Sequence, residues 1–211
     1  MPCLGRLIGI FIGTLLCNNM ATAKHELPIS VEGVSFNRAR LPHSSAIWLE
    51  TAIELRGVKN TKKAIHNPRF IDAIAITVTL AYASEAKGPS DLTFFQASAQ
   101  MATLEQGHPV SVYFYLPPEV RKRDRLRDRP YAYLIELSVD GEPLPSVDEH
   151  RSASLNTAQA LKRFRDQRAE KAPQNQGILQ AIHTTLFWNA ALYPERMKTI
   201  PSFRSLKQAN P

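Results

Sequence analysis

Between Pro28 and Asp140 apolar and polar side chains alternate with a period of two, the spacing at which a strand gives one face to a core and the other away from it. The first run is mixed. Ile29, Val31, Gly33 and Ser35 alternate with Ser30, Glu32, Val34 and Phe36, which suits a two-sided or edge strand. In the next, Ile47, Leu49, Thr51, Ile53 and Leu55 share a face opposite Trp48, Glu50, Ala52, Glu54 and Arg56. The most regular run sets Ile74, Ile76, Val78, Leu80 and Tyr82 against Ala75, Thr77, Thr79 and Ala81, so one face is heavy and the other light. Residues 92–104 place Phe94 and Phe95 on opposite faces and then turn Ala- and Gln-rich; helix competes there, and strand is the reading. Val110, Val112, Phe114 and Leu116 form a strand stopped by Pro117-Pro118, because proline lacks a ladder donor. Tyr131, Tyr133, Ile135, Leu137 and Val139 form another, closed by the turn Asp140-Gly141. Further turn signals stand at Arg56-Gly57, Asn67-Pro68 and Gly88-Pro89. Six or more short strands without interleaved helices predict a mainly β fold, an antiparallel sandwich or barrel. The strand count fits an immunoglobulin-like antiparallel β-sandwich with C-terminal helical segments, although the Cys-Trp-Cys core of antibody domains is absent.

After Pro145 the period changes. Ser152 or Ser154 can cap a helix that runs to about Ala172, with Leu155, Ala158, Leu161 and Phe164 on one stripe. Pro173-Gln-Asn-Gln-Gly177 breaks it. Ile178-Leu179, Ile182, Leu186-Phe187-Trp188 and Leu192-Tyr193 then make an apolar segment that needs cover. The expected organisation is a signal peptide at 1–23, a β-sandwich domain at 24–145, a helical extension at 146–198 packed on it, and a weakly ordered tail at 199–211. No internal repeat is visible.

The first 23 residues carry a basic Arg6, an apolar run from Leu7 to Leu16 and a small-residue ending Ala21-Thr22-Ala23. That is the pattern of a secretory signal peptide, and the run is shorter than the about 20 apolar residues a spanning helix needs. Cleavage is expected between Ala23 and Lys24. A lipid anchor on Cys17 is the weaker reading, since Leu15-Leu16 precede it where a small residue belongs. No later segment is apolar enough for a membrane span. The protein is therefore expected to be exported: periplasmic, outer-membrane-associated or on the cell surface.

Export changes how the composition reads. Both cysteines, Cys3 and Cys17, fall in the cleaved segment, so the exported chain has no thiol for a disulfide, a metal site or a nucleophile. Loss of Arg6 lowers the formal charge of +7 by one and leaves a basic protein. Anionic envelope surfaces, acidic glycans or acidic proteins are then better partners than nucleic acid. The six histidines, His25, His43, His66, His108, His150 and His183, show no zinc-site spacing. Asp148-Glu149-His150 is the one local acid–histidine group and reads as a solvated loop. Ser44 and Ser45 beside His43 are not a nucleophile elbow, for no Gly-x-Ser-x-Gly is present, and no glycine-rich phosphate loop is present either. No catalytic residue, cofactor or metal is expected, and the protein is read as not an enzyme.

The sharpest feature is Arg121, Lys122, Arg123, Asp124, Arg125, Leu126, Arg127, Asp128 and Arg129, six basic and two acidic residues between two strong strands. As a loop it can present several guanidinium forks to carboxylates, sulfates or phosphates, and Arg121, Lys122, Arg123, Arg125, Arg127 and Arg129 are the candidate surface for an anionic partner. A solvated connector is the plainer reading. Lys162, Arg163, Arg165, Arg168 and Lys171 form a second basic cluster, expected to be the solvated face of the predicted helix. Tyr113 and Tyr115 lie opposite Val112 and Phe114, and cover by the C-terminal apolar segment is expected.

Several segments together carry a resemblance: Ile29-Ser-Val-Glu-Gly-Val-Ser-Phe36, Trp48-Leu-Glu-Thr-Ala-Ile-Glu-Leu-Arg-Gly57, Ala73-Ile-Ala-Ile-Thr-Val-Thr-Leu80, Tyr113-Phe-Tyr-Leu-Pro-Pro118 and Tyr131-Ala-Tyr-Leu-Ile-Glu-Leu-Ser-Val-Asp-Gly141. Over residues 28–145 the chain resembles a secreted immunoglobulin-like protein of a type IV pilus-like gene cluster in Akkermansia-type verrucomicrobia. The resemblance implies a non-enzymatic envelope or pilus-associated role and carries over no functional residues. Pilins keep their hydrophobic N-terminal helix, so an accessory protein is implied rather than a subunit. The expected function is an exported binding or assembly module with another envelope or pilus protein as partner. The alternatives are a periplasmic carbohydrate- or anion-binding module and, in a different class, a hydrolase whose site is formed from distant residues.

Overall fold

A computed structural model describes residues 27–59, 67–84, 88–147, 150–188 and 201–203. The expected signal peptide and its cleavage point, His25, His66, Asp148, Glu149, Leu192-Tyr193 and most of the tail lie outside the described residues. The alternating segments form β1 (Ile29–Ala39), β2 (Trp48–Gly57), β3 (Phe70–Ser84), β4 (Gly88–Glu105), β5 (Pro109–Leu116) and β6 (Ala132–Val139). The described residues also form two short strands, β7 (Glu142–Pro143) and β8 (Gln180–Ala181), and two α-helices, α1 (Pro118–Arg123) and α2 (Ala158–Lys171).

The strands make two antiparallel sheets, ordered β1-β2-β5-β8 and β4-β3-β6-β7. The central pairs β2–β5 and β3–β6, in opposite sheets, give the strand order of an immunoglobulin-like sandwich. The short β8 stands beside β5, where such sandwiches place a full strand. Glu32 bulges out of β1, where the pairing with β2 shifts between Val31 and Gly33.

The faces follow the sequence pattern. Leu49, Ile53 and Leu55 of β2, Val112, Phe114 and Leu116 of β5, Ile74, Ile76, Val78, Leu80 and Tyr82 of β3, and Ile135, Leu137 and Val139 of β6 are buried in one central core. Phe95, Ala99 and Met101 of β4 join them, so the Ala- and Gln-rich stretch that invited a helix is strand throughout. Pairing with β3 over the whole length of β4 outweighs the helix preference of its alanines and glutamines.

Both outer faces are partly covered from the C-terminal half. The light face of β3 leaves room for α2, and Leu155, Leu161 and Phe164 pack there on Ala81, Leu92, Phe94, Ala132 and Leu134. Phe94 and Phe164 meet edge to face at 5.2 Å. The cap of α2 differs from expectation. Thr157, not Ser152 or Ser154, accepts the hydrogen bond from the Ala160 amide at 3.1 Å. The two serines serve β6 instead: Ser152 exchanges hydrogen bonds with Tyr133, and the Ser154 hydroxyl donates to the Tyr131 carbonyl. On the other sheet, Tyr115 stacks on Phe187 at 4.1 Å with rings almost parallel, and Trp48 meets Phe187 edge-on at 5.4 Å. The expected cover of Tyr113 and Tyr115 is therefore present, built from short 3₁₀ turns at Ile182–Thr184 and Leu186–Trp188.

Two turn readings hold and two do not. Asp140 and Gly141 both take positive φ, 52° and 81°, forming the primed turn that joins β6 to β7. The Asn67 side chain accepts from the Arg69 amide at 3.1 Å, making a local turn. Arg56-Gly57 instead ends β2, and Gly88-Pro89 begins β4. Gly57 is needed for close approach: a Cβ there would stand 3.1 Å from the Glu105 carbonyl oxygen.

Val78 lies at the centre of the buried face with no exposed surface. Val78→Asp would place an unpaired charge there, which costs several kcal/mol against a domain stability of about 5–15 kcal/mol. The variant is expected to lose its cooperative melting transition by circular dichroism. A normal melt would show that this register is wrong.

Candidate functional site

The basic segment bridges the two sheets, from the end of β5 to the start of β6. Pro118 occupies the first turn of α1, where its missing N–H costs nothing. The Asp124 amide closes the helix on the Val120 and Lys122 carbonyls, and Arg125 then takes a left-handed φ of 49°. Val120 and Leu126 turn into the central core and pin the segment on both sides of that bend. The stretch is thus a helical turn and a tight bend with two apolar anchors, more ordered than a solvated connector.

Its charges divide into two groups. Asp128 receives the Arg38 guanidinium of β1 at 2.5 Å and lies 3.5 Å from that of Arg121. The hydrogen bond from Arg38 holds the Asp128 carboxyl below the usual carboxylate range. Arg123 grips Asp124 with two bonds, at 2.6 and 2.7 Å. Lys122, Arg125, Arg127 and Arg129 are exposed and make no ion pair among the described residues. Of the six candidate residues, Arg121 and Arg123 are therefore engaged internally, and four cations are left facing outward. Burial keeps the Tyr82 hydroxyl protonated, with the Asp128 charge reinforcing the effect.

The second basic cluster departs from its expected role. Arg165 and Arg168 both reach Glu136 of β6, the former at 3.9 Å, and Lys171 reaches Asp91 of β4 at 3.4 Å. These residues tie α2 to the sheet beneath it. Lys162 pairs with Asp166 one turn on, at 2.8 Å. Only the sheet could supply these partners, because Glu136 and Asp91 are distant in sequence.

The four described histidines do not converge. His43 and His108 are exposed, His150 is buried, and His183 stacks on Phe203 at 4.7 Å, its pKa lowered by burial. Among the described residues no group of three or more His, Cys, Asp or Glu is arranged to hold a metal ion. Two concave features escaped sequence reading. A groove of about 690 Å³ separates the edge of β4 from β8, with Gln96, Ser98, Arg168, Pro173, Gln180 and His183 among its walls. A trough of about 350 Å³ lies on the outer face of β1, β2 and β5, where Asn37, Glu50, Glu54, Ser111 and Tyr113 meet. Glu50 is buried there; the Tyr115 hydroxyl donates to it at 2.9 Å and the Asn37 amide at 3.4 Å. The alternation already put Glu50 opposite the core. What it lacked was the β2–β5 register that sets Glu50 beside Tyr115.

The depressed pKa of Asp128 gives a pH signature. The Arg38–Asp128 pair adds stability above the unfolded carboxylate value of about 3.9 and loses it as pH falls through the lower folded value. Asp128→Asn is expected to be slightly less stable than wild type near neutrality. The difference should vanish at the acid end of a urea titration series; a constant gap across pH would contradict the pairing.

No family model matches the chain, and no curated protein matches it. Among solved structures, the chain is similar to a crystal structure of a protein from Akkermansia muciniphila, with a TM-score of 0.62 and 14% sequence identity. The alignment covers 84% of this chain and 93% of that one. At that identity the likeness is one of fold: two antiparallel sheets in a sandwich, extended by the C-terminal helical segments.

Proposed function

We propose that this protein is an exported, non-enzymatic binding or assembly module of the bacterial cell envelope, a pilus-associated accessory that meets an anionic partner through residues 121–129. The observation that carries the reading is the set of four exposed cations, Lys122, Arg125, Arg127 and Arg129, on a segment anchored by Val120 and Leu126. Ordering them in advance lowers the entropy cost of engaging carboxylates, sulfates or phosphates. The fold shared with the Akkermansia protein supports the architectural half of the resemblance. The apolar run ending at Ala23 supports export. No described helix is long and apolar enough to cross a membrane.

A second reading, a periplasmic carbohydrate-binding module, draws on the polar trough of Asn37, Glu50, Glu54 and Tyr113. Glycan binding lost in Glu54→Ala and retained when the arginines are replaced would favour it.

The test of the first reading compares wild type with the combined Arg123→Ser, Arg125→Ser and Arg127→Ser variant on immobilised native envelope proteins at low and high salt. The melting temperatures should nearly coincide, since exposed ion pairs contribute about 0–1 kcal/mol each. Retention should fall in the variant, and in wild type at high salt, because exposed charges are screened over about 8–10 Å. Equal retention in all four conditions would overturn the reading. Mass spectrometry of the exported protein should show an N-terminus at Lys24; retained Met1 or a lipid on Cys17 would refute the expected processing.

A further inference from the structure

Tyr131 stands at the end of the basic segment with 48% of its surface exposed. Only Pro130 separates it from the outward Arg129, and the proline ring fixes the φ angle between them. Its backbone is held on both sides: the Tyr131 amide donates to the Ala81 carbonyl at 2.8 Å, and the Tyr131 carbonyl accepts from the Ser154 hydroxyl at 3.4 Å. Two residues on, Tyr133 meets Phe36 of β1 at 5.5 Å. Arg38, on the same face of β1 as Phe36, pairs with Asp128, which Arg127 and Arg129 flank in sequence. An exposed ring and two exposed guanidinium groups thus leave one rim of the sandwich from a fixed base. Packing does not account for the ring, which meets no other ring among the described residues.

The surroundings of the ring decide what it suits. A protein partner would be met by an apolar core within a polar rim. The other large apolar side chains exposed among the described residues, Val58, Leu186 and Trp188, lie elsewhere. Trp188 meets Phe203 beside Met101, opposite Ile74, whereas Tyr131 is bonded to Ala81 towards the other end of β3. Val58 follows Gly57, which faces Ile29 at the start of β1, far from Arg38. Tyr131 is therefore a lone ring among cations. The face of an aromatic ring carries partial negative charge and attracts the C–H groups of a pyranose ring. Guanidinium forks take the acid groups on such a sugar. We propose that the anionic partner of the 121–129 segment is an acidic polysaccharide, with a sugar ring stacked on Tyr131 and its carboxylates or sulfates on Arg127 and Arg129. The inference rests on the anionic-partner reading of that segment and adds to it the sugar.

The test compares binding of the whole protein to three polymers of matched charge. Polygalacturonate and dextran sulfate carry carboxylates and sulfates on sugars; polyglutamate carries carboxylates on none. Wild type is expected to bind the tighter of the two sugar polymers better than polyglutamate, and which of them is tighter identifies the acid group. Tyr131→Ala should weaken that binding about fivefold to tenfold, the scale of one aromatic contact, and leave polyglutamate binding and the melting temperature unchanged. Tyr131→Phe keeps the ring and should stay within about twofold of wild type. The combined Arg123→Ser, Arg125→Ser and Arg127→Ser variant should weaken binding to sugar polymer and polyglutamate alike. Glu54→Ala should weaken neither, which separates this site from the outer trough. Wild-type binding of polyglutamate as tight as that of either sugar polymer would overturn the proposal and leave the anionic-partner reading standing. So would a Tyr131→Ala variant that loses both kinds of polymer equally or loses neither. Absence of salt-sensitive binding to all three polymers would overturn both. Should Tyr131→Ala fail to fold, Tyr131→Leu, which keeps apolar bulk without the ring, decides.

Discussion

The sandwich depends on burying two apolar faces against each other without covalent help. Neither Cys3 nor Cys17 lies among the described residues, so no disulfide ties the sheets there. The two faces meet through Ile53, Val112 and Phe114 on one side and Ile76, Val78 and Ile135 on the other, all fully buried. A fully buried side chain of this kind contributes about 1.5–3 kcal/mol, against a large loss of chain entropy. The core must therefore be continuous, and the long β3 and β4 make it so by carrying apolar residues through to Ile71 and Leu104.

That requirement explains the C-terminal half. A sheet with one apolar face can leave the other to water, yet here each outer face also bears aromatics: Phe94 on one, Tyr113 and Tyr115 on the other. Leu161 and Phe164 of α2 answer the first, and Ile182 and Phe187 answer the second. Ion pairs from Arg165, Arg168 and Lys171 to the sheet then orient α2, supplementing its apolar stripe. The extension thus packs on both outer faces of the sandwich.

The basic segment gains its form from the same core. Its charges alone would repel one another and splay into water. Val120 and Leu126 hold its bend on the sandwich, while Asp124 and Asp128 neutralise the inner arginines. The outward cations Lys122, Arg125, Arg127 and Arg129 are those left after this internal pairing.

The sequence by itself determined the strands and their faces. Period-two alternation is a local property, and residues such as Ile74, Ile76, Val78 and Leu80 declare an inner face whatever they pack against. It also foretold the Asp140-Gly141 turn, since the two successive positive φ values of that turn favour such a pair. Tertiary structure alone decided matters that depend on residues far apart in the chain. Helix and strand were close competitors over residues 92–104, and pairing with β3 settled the matter. The basic face of α2 looked solvated until Glu136 and Asp91 came beneath it. The six cations of 121–129 looked equivalent until Asp128 met Arg38 of β1. The groove beside β4 arises where the edges of two sheets come together. A pattern of neighbours along the chain holds no record of such meetings, because they are fixed by the packing of whole sheets.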